Sequence, residues 1–590
     1  MLQSDFKPGM DIKVDAHGVP IQLCGNWIIG GHDGCTEIGK FACSNCGLAV
    51  YCSEECEKAC LNEHKTFCRQ DMVRGDWVPD WVRQKRRPKF CSNRKPEATG
   101  LQEKIWGDVP AIDVLKLGAN EGEDYNKTIR VLFADSGDLR NMVKTIADLP
   151  TAFNGRLEIT MNDSNAHIAA RNVLLTLIGL ISKNPREAAL TMMNVWYSAK
   201  LRKYDYILLK ASIGPIVKRV IDSMAGNPDQ KVAEVNWNYG PTKVKIALSV
   251  AGWHKLLSLC SIADDQMADH IMTSRLSLVM MHKYPDASER RLYYLQPKHR
   301  IPHTRFMAEG IIAPFSYPRG DWCCVNPTLI HEKQWAIESL ASPTQGWDMR
   351  DVLATPVGIA NNDVFGKLFH HNLAVFTAFA TRCKTNDISL TFLNLDPLLL
   401  RAVVPVKDGY DRIEVGTLAD SNNLGMAKTL YAFGELLQTR KTNPHATLIT
   451  RCSRAVQETI TVKDEMRALN IFGHVQERLS LYMPLPKEEE FEHLYDPRLV
   501  KLAHGRDLCD SYEGIFKRYF AKNHLDEVAE AFLLQAKKKH TVVEKWPFAL
   551  ECQPGDENAQ EEFDRLVGYG PSPKERYVEW KPLGRSKPKK

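Results

Sequence analysis

Between His32 and Cys68 the chain sets out eight metal-binding side chains in order: His32-x2-Cys35-x7-Cys43-x2-Cys46-x5-Cys52-x3-Cys56-x7-His64-x3-Cys68. Thiolate sulfur and imidazole nitrogen are the donors zinc prefers, and a structural zinc takes four of them in a closed tetrahedron. Eight donors therefore imply two ions. A stretch this short cannot fold on apolar burial alone. Each structural zinc supplies on the order of 10 kcal/mol of folding free energy, which closes that gap.

The spacing also says how the donors are shared. A pair separated by two residues sits at a tight turn, where both side chains converge on one point. Cys52 with Cys56, and His64 with Cys68, are four apart and share a helix face. Two turn pairs followed by two helix pairs suit an interleaved arrangement. His32, Cys35, Cys52 and Cys56 are expected to hold one zinc, and Cys43, Cys46, His64 and Cys68 the other. Cys24 is an alternative to His32. Cys60 shares the helical spacing of Cys56 and His64 and reads as a small buried residue.

The remaining sequence bounds the class of protein. A chain of 590 residues, 44% hydrophobic and 25% charged, has room for several globular domains. A net charge of +5 over that length is too weak to point to nucleic acid, and acids outnumber lysines within the cysteine-rich segment. Of 16 cysteines, eight lie in the first 68 residues and the rest are scattered. That distribution fits a reducing compartment with one metal module, not a disulfide framework. Met1 to Gly18 has no signal-peptide core, and the most apolar run, Val173 to Ile181, is too short to span a bilayer. An intracellular protein, cytoplasmic or nuclear and without a membrane role, is expected.

The run from Cys43 to Cys56, with its Tyr51-Cys52 dipeptide, then His64 and Cys68, resembles a MYND-type zinc finger. The resemblance implies a cross-braced two-zinc module that presents a groove to a protein partner, a Pro-containing peptide being the type expected. The family has a cysteine at the position read here as His32.

After an N-terminal segment (1–31) and the finger (32–68), residues 69–100 read as a basic linker with Arg83, Lys85, Arg86, Arg87 and Lys89. From 101 the pattern changes. Thr128–Asp135 is a compact apolar run ending at Asp-Ser-Gly, the profile of a buried strand. Leu139 to Leu149 has helical spacing. Leu157 to Met161 is a second strand, followed by a helix from Ala166 to Ile181. Strand-loop-helix repeated in this way predicts a parallel α/β unit. Tyr204 to Leu209 is a further candidate strand. Runs at Arg412–Val415 and Ala446–Thr450 predict that the sheet is completed late, around a large, mainly helical insertion at about 213–400. The α/β domain is thus placed at 101–455, with a helical region at 456–570 and a disordered basic tail at 571–590.

Acidic groups end both early strands, where parallel α/β sheets place functional residues. Asp135, Gly137 and Asp163 are the candidate cofactor-binding residues. The alternative is that Asp135 and Asp163 cap the helices that follow. The first loop, Asp135-Ser-Gly-Asp-Leu-Arg140, carries one glycine and not a Gly-rich run.

The signature Asn162-Asp163-Ser-Asn165 with Ala170-Arg171-Asn172 resembles an uncharacterised domain of fungal MYND-finger proteins that also occurs in an axonemal dynein preassembly factor. Segments Arg300–Phe306, Gly310–Phe315, Gly346–Asp348 and Asp411–Glu414 are similar to further blocks of that architecture. The resemblance implies a Rossmann-like, methyltransferase-shaped domain without an assigned activity. The primary expectation is a non-catalytic adaptor or regulator built from a zinc-binding interaction module on an α/β scaffold. The alternative is a methyltransferase that uses S-adenosylmethionine in the α/β domain.

Overall fold

The computed structural model describes residues 21–26, 35–68, 70–89, 105–224, 232–262, 265–279, 285–338, 341–404, 409–470, 473–483 and 496–584. The finger is a two-stranded antiparallel hairpin, β1 (Phe41–Ala42) and β2 (Val50–Tyr51), followed by helix α1 (Glu54–Cys68).

The body is built on one nine-stranded mixed sheet flanked by many helices. Its elements, in chain order, are β3 (Ile129–Phe133), α2 (Arg140–Ala147), β4 (Leu157–Asn162), α3 (Ala166–Ile181) and α4 (Pro185–Tyr197). Then come β5 (Val232–Tyr239), β6 (Thr242–Ser249), α5 (Pro297–Glu309), α6 (Val364–Thr385) and β7 (Ile388–Leu393). The last are β8 (Arg412–Glu414), α7 (Met426–Gly434), β9 (Thr447–Cys452), β10 (Leu534–Ala536) and β11 (Arg576–Pro582). The strands lie in the order β10-β11-β9-β8-β3-β4-β7-β6-β5. From β9 to β6 neighbouring strands run parallel, while β11 on one side and β5 on the other are antiparallel.

The apolar run of β3 is a strand because both of its faces are covered. Ile129, Val131 and Phe133 enter one core cluster with α2, α3, α4 and α6. Leu132 and Ala134 enter a second cluster on the opposite face with Leu430 and Phe433 of α7. A parallel strand buried on both sides needs this continuous hydrophobicity.

Three expectations change. Residues 213–400, expected to be mainly helical, also supply β5, β6 and β7. The Tyr204–Leu209 run is helical: Lys203–Ile207 is an α-helix, and Asp205 accepts hydrogen bonds from both the Arg202 backbone and its guanidinium. The Pro- and Lys-rich end, expected to be disordered, contributes β11, where Tyr577, Val578 and Trp580 are buried. Its flanking prolines and lysines hide a strand enclosed on both faces.

Residues 70–89 lie against the body. Trp81 is fully buried, and Arg86 makes a two-pronged ion pair with Asp286 at 2.7 Å on each arm. Residues 90–104 are outside the described residues.

Candidate metal centre and α/β cavity

In the finger, ligand atoms gather in two groups. Cys43, Cys46, His64 and Cys68 form one, and Cys24, Cys35, Cys52 and Cys56 the other, with every ligand atom of a group within 4.8 Å of the rest. The first group is the one read from the spacing. In the second, Cys24 supplies the fourth thiol, and His32 lies outside the described residues.

The geometry fits zinc. Cys35 and Cys52 have their Sγ atoms 3.5 Å apart, Cys52 and Cys56 3.5 Å, and Cys43 and Cys68 3.7 Å. Four sulfurs at 2.3 Å from one ion sit about 3.8 Å from each other, so these are close to the edges of a thiolate tetrahedron. The two clusters could each hold a zinc ion. Hydrogen bonds to sulfur are already in place: Leu48 N donates to Cys46 Sγ, Cys52 N to Cys24 Sγ, and Asn45 Nδ2 to Cys68 Sγ. Such donors stabilise thiolates and orient them. Burial pushes the Cys46 thiol up to about 12 and holds His64 below the usual imidazole range. A neutral imidazole is the ligating form, and a buried thiolate calls for a neutralising cation. Cys60 takes no part in either group; its thiol donates to the Gly25 carbonyl.

The finger is seated on the body. Val50 N donates to Ser316 Oγ at 2.9 Å, and Asn362 Nδ2 donates to the Cys46 carbonyl at 3.0 Å. Ile301 and Phe315 of the body belong to the finger's own apolar cluster. Phe67 of α1 meets the Phe315 ring edge-to-face at 5.8 Å, and the Arg305 guanidinium lies 4.4 Å over Phe315. Gly47 has φ +63°, and a Cβ there would stand 2.6 Å from Asn362 Nδ2, so the turn takes glycine on both counts. On α5, Arg300 is used in packing, donating to the Met72 and Arg74 carbonyls, and burial holds the neighbouring His299 down at about 3.

At the carboxyl ends of β3, β4 and β8 lies a cavity of about 380 Å³ lined by Asp135, Gly137, Asp163, Arg140, Glu414 and Arg451 among others. All three residues singled out from sequence meet there. Their surroundings revise the capping alternative. Asn165, not Asp163, caps α3, accepting from the His167 and Ile168 amides. Asp163 instead braces the loops, accepting from Gly137 N at 3.0 Å and Asn165 N at 2.8 Å. Asn172 Nδ2 donates to the Gly137 carbonyl at 2.8 Å, so the peptide groups on both sides of that residue are held. Near α2, Asp138 rather than Asp135 accepts the Arg140 amide.

Gly137 has φ +56°, and a Cβ added there would meet nothing within 4 Å. Asp138 turns away from the cavity into the interior and pairs with the Arg140 guanidinium at 2.6 Å. Arg451 pairs with Asp108 through two 2.9 Å bonds. Burial alone raises the Asp135 carboxyl above its ordinary range. Burial is also the main cause raising Glu414, to which the Asp135 charge adds. The cavity therefore juxtaposes the carboxyls of Asp135, Asp163 and Glu414 with two ion-paired guanidinium groups. Sequence reading placed Arg140 in the first loop but missed Arg451 as a wall residue, because Arg451 becomes a neighbour only when β9 joins the sheet.

Residues 105–201 match the model of a domain of unknown function, DUF4470. The matched stretch contains β3, β4, the Asp163–Gly137–Asn172 brace and α4. Comparisons with curated proteins and with solved structures return no match.

Proposed function

We propose that this chain is a zinc-dependent protein-interaction module, of MYND type, mounted on an α/β scaffold and acting as an adaptor or regulator. The observation that carries the reading is the two interleaved Cys/His groups in a finger whose inner side is seated on the body. Part of the finger stays available: Ile38 is 49% exposed, and α1 presents Glu54 and Glu55 to solvent. An exposed apolar residue beside a hairpin suits an extended peptide that adds to the strand edge, with pockets for side chains. A Pro-containing peptide is the proposed partner class. Calorimetric titration of such peptides into the zinc-loaded chain tests this. Binding that disappears in Ile38→Asp and on zinc chelation supports it; heat unchanged by both defeats it.

A second reading is favoured by the cavity. The strand order reverses at β3 and β8, the kind of switch point where open α/β sheets bind ligands, and the order supports a Rossmann-like, methyltransferase-shaped body. The space beside Gly137 and the Asp135 carboxylate, for which the described residues give no side-chain hydrogen bond, fit a ligand of the S-adenosylmethionine class. Titration of S-adenosylmethionine and S-adenosylhomocysteine into the full chain decides it. Heat abolished by Asp135→Ala supports a methyltransferase; no heat at millimolar ligand leaves the adaptor reading alone.

A further inference from the structure

Adjacent residues on a regular strand point to opposite faces, so Cys323 and Cys324 in the strand Trp322–Val325 should hold their thiols apart. Instead their Sγ atoms are 3.7 Å from each other. The ladder explains this. The strand pairs with Lys200–Arg202 in the register Lys200↔Val325, Leu201↔Cys324 and Arg202↔Trp322, so Cys323 is the extra residue of a β-bulge. A bulge re-aims a side chain in this way.

The pair is also accessible and held in place. Cys323 is exposed and Cys324 half-buried, while no other cysteine among the described residues is exposed. Both flanks are anchored in the interior. Trp322 Nε1 donates to Asn194 Oδ1 at 3.2 Å, and Asn326 Nδ2 donates to the Val195 and Ser198 carbonyls at 2.9 and 2.8 Å. Little conformational freedom is left to lose when one ligand bridges both sulfurs.

The distance selects the chemistry. Neighbouring Cα atoms are about 3.8 Å apart across a trans peptide, below the usual span of a disulfide, so a direct S–S bond here is strained. A single soft atom bonded to both sulfurs at about 2.3 Å with a near-tetrahedral angle spans roughly 3.8 Å, close to the observed gap. We propose that Cys323 and Cys324 form a vicinal dithiol site that captures one thiophilic atom, trivalent arsenic being the chemical class. With an arsenical R–As=O, both S–H bonds break, two As–S bonds form, and the two hydrogens leave with the oxo group as one water. Arsenic stays trivalent, so no oxidant or reductant is needed. The site is separate from the finger and does not depend on the function proposed above.

The test is intact-protein mass spectrometry of the zinc-loaded full chain with one equivalent of phenylarsine oxide, with metal content read under native conditions. One adduct is expected, with the zinc content unchanged. It should survive excess monothiol and be removed by a 1,2-dithiol. Cys323→Ser and Cys324→Ser should each weaken retention against monothiol by roughly 100-fold, the loss expected when a two-point attachment becomes one. Cys91→Ser, a control at a position outside the described residues, should leave it intact. An adduct that persists in Cys323→Ser, one that forms only with zinc release, or no adduct at all would overturn the proposal.

Discussion

Asp163 Oδ2 accepts the Gly137 amide hydrogen at 3.0 Å, tying the loop after β4 to the loop after β3. The other carboxylate oxygen accepts from Asn165 N. The Asp163 carboxylate is nearly fully buried, while the Gly137 and Asn165 residues that donate to it are half-buried at the cavity wall. Removing the side chain strands two amides. Asp163→Ala should lower stability by about 2 kcal/mol, the usual cost of leaving buried polar groups unpaired. Urea denaturation reads it, and an unchanged midpoint would show that the brace contributes nothing.

Asp135 tests the same cavity with the opposite sign. Burial raises its folded-state carboxyl above the ordinary value. The folded state then binds the proton more tightly than the unfolded chain, so stability falls as pH climbs through the ordinary carboxylate range to the raised value. At neutral pH that penalty is fully present. Asp135→Asn should therefore stabilise the protein by about 1 kcal/mol at pH 7, and the gain should vanish near pH 4. A destabilised variant at pH 7 would mean that Asp135 holds a structural partner.

The two zinc groups predict different outcomes for two positions that spacing treated as alternatives. Cys24 sits with Cys35, Cys52 and Cys56. Native mass spectrometry of Cys24→Ser should find one zinc per chain, and His32→Ala should keep two. The reverse pattern would move the fourth ligand to His32.

Local pattern carried part of this architecture. The Cys43, Cys46, His64 and Cys68 group was legible because helix and turn spacings fix which side chains converge. The choice between Cys24 and His32 was not, because Cys24 reaches the site through the Leu23↔Ile38 bridge, a contact that no periodicity marks. In the body, β3 and β4 were visible as compact apolar runs. By contrast β11 alternates nothing, since Arg576 through Trp580 are all buried, and the prolines and lysines on either side of it dominate the local composition. That Asp135, Gly137 and Asp163 lie at the ends of neighbouring strands was legible from position alone. Arg451 needed the sheet, because a cavity wall gathered from β3, β8 and β9 is set by tertiary pairing.

Seating the finger on the body couples their stabilities. Ile301 and Phe315 are buried within the finger's cluster, so unfolding the finger exposes them. Re-exposing two such side chains costs roughly 3 to 5 kcal/mol. Adding a strong chelator should therefore lower the melting temperature of the body as well as abolish the finger's fold, and Cys43→Ser should do the same. A body transition that ignores both treatments would show that the contact contributes no stability.

Acid should weaken the body through two adjacent histidines on α6. Burial is the main cause holding His370 and His371 down at about 4. His370 Nε2 is buried without a hydrogen-bond partner, so a proton there gains nothing in the folded state. In the unfolded chain both rings take protons near pH 6.5. The unfolded state thus binds more protons between about 6.5 and 4. The neutral rings' contribution is whole above that window and is lost as pH falls through it, at up to about 1.4 kcal/mol per pH unit for each ring. Zinc release also destabilises the protein in acid, but it is common to the wild type and a body variant. The decisive quantity is the difference between wild type and His370→Phe. Urea midpoints measured from pH 7 to 4 should fall less steeply in the variant, and parallel curves would show that His370 takes its proton as readily in the folded protein as in the unfolded chain.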